Sequence, residues 1–190
     1  MTARKLRLII TPVLVAGCLQ AADDSRLDES RALVQSFGAR LQSELQQSLA
    51  EGGPVGAISV CKNKAPQIAS ELSRQSGAKV RRTSLRFRNP ANVAEPWESR
   101  VLQAFDSKAA SGADAPLEYF ARQDDGTVRY MAAIRTGAVC LACHGAFLSP
   151  EMDAIIDADY PHDRARGYRP GDIRGAFSVT WPPSDDASSN

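Results

Sequence analysis

Leu33, Phe37, Leu41, Leu45 and Leu49 recur at every fourth position, with Val34 beside them and Gln, Ser and Arg between. An apolar stripe at that spacing lies on one face of an α-helix, so the pattern predicts a long amphipathic helix over residues 28–50. Asp28 or Ser30 can cap its start, and Gly52-Gly53-Pro54 should stop it. Nothing in the stripe is chemically active, so the helix is expected to cover a core and do no chemistry. Residues 55–61 are a short apolar run that the pattern leaves unassigned. Pro66 suits a first helical turn, Ile68 and Leu72 share a face one turn apart, and Gly77 suits a helix end. A second helix is therefore predicted over 67–75.

Alternation replaces the four-residue period further on. Over 80–88, Arg81, Thr83, Leu85 and Phe87 fall on one face and Arg82, Ser84, Arg86 and Arg88 on the other, which predicts a strand ended by Asn89-Pro90. Glu95-Pro96 opens a helix to about residue 108, with Trp97, Val101, Leu102 and Phe105 inward. Residues 118–122 and 127–134 read as strands joined by the turn Asp124-Asp125-Gly126. Ser149-Pro150 starts a short helix to about 158. Residues 173–180 alternate Ile173, Gly175, Phe177 and Val179 against polar neighbours and read as the last strand. The fold class that follows is α+β, with helices first and then an antiparallel sheet carrying inserted helices. The expected boundaries are a leader at 1–18, one domain over 19–181 and a disordered polar tail at 182–190.

The leader changes the address. Arg4, Lys5 and Arg7 precede a short apolar run and then Val15-Ala16-Gly17-Cys18, which resembles a bacterial lipoprotein signal cut before the cysteine. An ordinary secretory cut near Ala21 or Ala22 is the alternative, and both export the chain. A periplasmic protein with a lipid anchor at Cys18 is expected. Without the three basic leader residues, twenty Lys and Arg face 22 Asp and Glu, a formal charge near −2. That balance argues against a nucleic-acid partner.

The chemistry is concentrated in Cys140-Leu141-Ala142-Cys143-His144. This is the C-x-x-C-H pattern of c-type haem attachment. Two thiols at that spacing can form thioethers along one porphyrin edge, and the adjacent imidazole then reaches the iron from one face. One covalent haem c is expected, on Cys140 and Cys143, with His144 as a metal ligand. A thioredoxin-like Cys-x-x-Cys, a small disulfide and a zinc site that recruits Cys61 are the competing readings; the βαβ context of the first is not seen, and a second tight ligand pair for zinc is missing. Cys61 itself is a spare thiol in an oxidising compartment. It can be an inert buried side chain, an intermolecular disulfide, or the second axial ligand. His162, Met131 and Met152 are the other donors of suitable chemistry. The arginines at 81, 82, 86 and 88 read either as a solvated strand face or as partners for haem propionates, with Arg82 and Arg88 the chosen pair.

Four blocks carry a family resemblance. They are Cys61-Lys62-Asn63-Lys64-Ala65-Pro66-Gln67-Ile68-Ala69, Arg82-Thr83-Ser84-Leu85-Arg86-Phe87-Arg88-Asn89-Pro90-Ala91-Asn92, the haem motif with Gly145, and Gly171-Asp172-Ile173-Arg174-Gly175-Ala176. Through them the chain resembles a bacterial and cyanobacterial group of c-type haem domains with a PAS-like fold and Cys/His ligation. The resemblance implies that Cys61 is the distal thiolate and His144 the proximal ligand. A thiolate donates charge to iron and favours the ferric state, so a low-potential carrier or redox sensor is expected rather than an enzyme. The expected partner is a redox protein, with no small-molecule substrate. The haem subunit of a sulfur-oxidising enzyme and a gas-sensing module are the alternative functions.

Overall fold

The computed structural model describes residues 14–112 and 115–183, with side chains from Asp23 onward. The leader up to residue 13, the side chain of Cys18 and the tail from 184 therefore lie outside the described residues. Helix α1 runs Leu14–Ser59. The expected stop at Gly52-Gly53-Pro54 is a kink: Gly53 takes φ 62°, open to glycine, and Pro54 restarts the helix. The unassigned run 55–61 thus continues α1. It passes into one π-helical turn, Val60–Lys64, and then into α2, Ala65–Ser76. Gly77, at φ 78°, closes α2 with its amide on Ser73 O.

Four antiparallel strands follow: β1 Lys79–Thr83, β2 Glu118–Arg122, β3 Val128–Arg135 and β4 Ile173–Trp181. They lie in the order β1-β4-β3-β2. Helix α3, Pro96–Ala110, is inserted after β1, and its Glu95 and Glu98 form a capping box. Between β3 and β4 come a 3-10 turn, Ala138–Cys140, then α4, Leu141–His144, and α5, Pro150–Asp159. This is the expected α+β architecture. Among the described residues no helix is long and apolar enough to cross a membrane.

Burial on both sides of the sheet explains its stability. The stripe residues Phe37 and Leu41 pack with Ile68 and Leu72 of α2 against Val80, Tyr130, Val179 and Trp181. The rings of Phe37 and Phe177 lie 5.0 Å apart. On the opposite face α3 packs Trp97, Val101, Leu102 and Phe105 against Met131 and Ala176. Each such side chain contributes roughly 1.5–3 kcal/mol through loss of water contact. β4 is therefore a central strand covered on both faces, not the half-exposed strand that its alternation predicts.

The expected strand over 80–88 is also corrected. Pairing with β4 ends at Thr83 opposite Ala176. Beyond it the chain leaves the sheet, and the Ser84 amide bonds to Asn92 O at 2.9 Å. Arg82 and Arg88 consequently do not share a strand face. Arg81 and Thr83 point toward α3 and both donate to the buried Glu98 carboxylate. Arg81 is thus an internal structural partner and not part of a solvated face.

Candidate functional site

Cys140 closes the 3-10 turn, with its amide on Gly137 O at 3.0 Å, and α4 carries Cys143 and His144. Gly145 ends α4 because only glycine fits there. A Cβ at this position would stand 2.6 Å from the Leu141 carbonyl oxygen. The turn is then sewn to the segment before β4. Tyr168 N donates to His144 O and Gly167 N to Gly145 O, both at 2.9 Å. Arg88 reaches across from the loop after β1. Its Nη2 donates to Cys143 O at 2.6 Å, and its Nε binds Asp163 Oδ1 at 3.1 Å.

His144 is held in one tautomer. Nδ1 lies 2.7 Å from the Ala165 carbonyl oxygen, which can only accept, so Nδ1 carries the proton and Nε2 keeps its lone pair. Burial, with the charges of Arg88 and Arg174, pushes the imidazole down to about 3. A neutral ring with a bare, aimed nitrogen is the form that binds a metal. Burial also pushes the Cys143 thiol up.

Cys61 sits in the π-helical turn between α1 and α2, and is half-buried. A π-turn accommodates one residue more than α-geometry allows, and such turns recur at functional sites. Lys62 beside it pairs with Asp159 of α5 at 2.6 Å. Two adjoining cavities, both open to solvent, are lined in common by Cys61, Arg88, His144, Tyr160 and Arg174. The second adds Cys140, Cys143 and an apolar wall of Leu45, Leu49, Ala57 and Ile58. The lower end of the α1 stripe therefore lines the site instead of only covering the core.

A model of the family described as "Tll0287-like: Tll0287" matches residues 19–182. The chain belongs to this family. The solved structure titled "Crystal structure of the cyanobacterial heme-protein Tll0287" is similar to it, with a TM-score of 0.60 and 27% sequence identity. That alignment covers 91% of this chain and 97% of the other. No curated protein matches the chain. The α+β fold expected from the sequence pattern is the fold that this Tll0287-like chain adopts.

The structure brings Cys61, Cys140, Cys143 and His144 to one cavity system, with Arg82 and Arg88 on its walls. The thiols of Cys61, Cys140 and Cys143 are all free. None of the three other donors lines either cavity. His162 is exposed, Met131 is buried against α3, and Met152 packs on Ile58. Among the described residues no group of three or more His, Cys, Asp and Glu side chains is placed to hold a metal without help. Three contributors were not singled out from sequence. Asp163 anchors Arg88, Tyr160 lines both cavities, and Arg174 adds a guanidinium to those of Arg82, Arg86 and Arg88. Arg174 lies in the Gly171–Ala176 block that carries the resemblance, and the alternation that predicts a half-exposed β4 places it among the polar positions, so nothing in the pattern marked it as a cavity residue.

Proposed function

We propose that this chain is an exported, single-haem c-type protein that transfers electrons or senses redox state. The observation that carries the reading is the meeting of His144, in its metal-binding tautomer, with Cys61, Cys140 and Cys143 on shared cavity walls. The similar structure described as a cyanobacterial heme-protein supports it. A haem held there supplies one-electron chemistry.

The chain's own residues do the rest. Cys140 and Cys143 are the thioether donors, His144 offers Nε2, and Cys61 offers a sulfur from the other element of the cavity. Ala165 fixes the imidazole, and the Arg88–Asp163 pair fixes the turn that bears it. Leu45, Leu49, Ala57 and Ile58 keep water from the attachment side. With two ring-binding thiols, an imidazole and a thiolate engaged, the site favours electron exchange over substrate chemistry. The leader directs the chain outside the cytoplasm, where Cys18 takes a lipid anchor and a redox protein is the partner.

The test is production of the full chain in a bacterium able to mature c-type cytochromes. Haem should remain with the polypeptide after acid-acetone extraction, and the ferric protein should show a low-spin thiolate signature in paramagnetic resonance. Cys61→Ala should lose that signature and keep the covalent haem. A matured product without haem, or a resonance spectrum indifferent to Cys61→Ala, refutes the respective half of the reading.

A further inference from the structure

The first cavity is walled by four arginines, Arg82, Arg86, Arg88 and Arg174, and by no aspartate or glutamate. Two of the four are already committed. Arg86 stacks on the Tyr168 ring at 4.3 Å and donates to Arg164 O. Arg88 spends its guanidinium on Asp163, Cys143 O and Ala165 O. Among the described residues neither Arg82 nor Arg174 pairs with a carboxylate; Arg82 has the Cys61 sulfur as its partner, and Arg174 Nε is buried with no hydrogen-bond partner.

We infer that Arg174, acting with Arg82, is the clamp for the pair of carboxylates on the cofactor's edge, and that Arg88 is instead the structural tie of the attachment turn. A buried guanidinium with an unmet donor is costly, and a carboxylate is the acceptor that fits its planar fork. Arg174 has an unmet donor, Arg82 has only the Cys61 sulfur beside it, and no carboxylate lines this wall, so the pair suits the two propionates that a haem carries. Burial and the neighbouring Arg174 both oppose the charge on Arg82, while the sulfur of Cys61 supports it.

The backbone is built to bring the two arginines together. At Gly175, with φ 155°, a Cβ would stand 2.5 Å from Thr83 O, so β4 approaches β1 more closely than another residue permits. Ser84 Oγ then donates to Arg174 O at 2.8 Å and holds that backbone while the side chain enters the cavity. Arg82, at the end of β1, enters from the adjoining strand.

The inference rests on the haem reading above, and resonance Raman spectra of the matured full chain separate the two. The propionate bending modes of wild type should shift in R174M, and shift less in the same direction in R174K, which keeps charge and loses the fork. R82M should move the same modes. If R174M folds poorly, R174K alone still decides. Modes unchanged from wild type in both Arg174 variants would overturn the clamp and leave haem binding standing. A wild-type protein that matures without haem would overturn both.

Discussion

Ala165 aims His144. The 2.7 Å contact from Nδ1 to the Ala165 carbonyl oxygen sets both the tautomer and the ring direction. Ala165 is in turn placed by Asp163, whose Oδ1 accepts from the Ala165 amide at 2.9 Å, and by Arg88, which binds the same loop and the Cys143 carbonyl. The turn that carries Cys143 and His144 and the loop that orients the imidazole thus share one buried ion pair.

Asp163→Ala should therefore be strongly destabilising. Its side chain is 3% exposed and that of Arg88 is 10%. Leaving one partner of such a pair buried alone costs about 3–5 kcal/mol. Urea denaturation should show a loss of that order, together with a lower yield of the covalent product. A loss under about 1 kcal/mol would mean that the pair does not hold the turn.

The same carboxyl gives a pH dependence. Burial raises it, but hydrogen bonds from Arg88, Arg166 and the Ala165 amide outweigh burial and hold it below the usual carboxylate range. A depressed folded value contributes stability that is complete above the unfolded value, about 3.9, and disappears as pH falls through the folded one. Wild type should lose stability more steeply than Asp163→Asn as pH falls below about 4. Thermal melts across that range check it, and parallel slopes would assign the acid sensitivity elsewhere.

Gly145→Ala should disturb the attachment turn. The φ of −67° is ordinary, so the cost is steric: the new Cβ meets a backbone oxygen, Leu141 O, at 2.6 Å. Overpacking of this kind costs about 1–3 kcal/mol. Denaturation midpoints and the fraction of chains carrying covalent haem should both fall; an unaffected fraction would show that the turn absorbs the methyl group.

Deletion of Asn63 tests the π-turn. Removing one residue should restore α-geometry through Val60–Lys64 and turn Cys61 by about 100° relative to α2. The thiolate signature should disappear while the far-ultraviolet dichroism stays helical. Persistence of that signature would show that the extra residue does not set the position of Cys61.

Lys62→Ala, by contrast, should change little. Its pairing with Asp159 joins side chains that are 46% and 34% exposed, and such pairs contribute at most about 1 kcal/mol. A larger loss on denaturation would identify this contact as the link between the Cys61 segment and α5.

Local chemistry was written plainly in the chain. The Cys140–His144 spacing, the four-residue stripe of α1, the Asp124-Asp125-Gly126 hairpin turn and the proline-started helices follow from short-range rules, and the structure has each of them, although α1 runs Leu14–Ser59, beyond the predicted 28–50 at both ends. What three-dimensional packing decided was the fate of the arginines and the length of β1. Alternation over 80–88 could not show that pairing ends at Thr83, because the Ser84 amide turns away from β4 to the remote Asn92 carbonyl. Arg81 turned to Glu98, Arg88 to Asp163, and Arg174 into the cavity through contacts 17, 75 and 90 residues distant or more. A sequence read one window at a time holds periodicity and spacing, whereas the burial and pairing of a charge depend on which remote carboxylate or carbonyl the fold brings beside it.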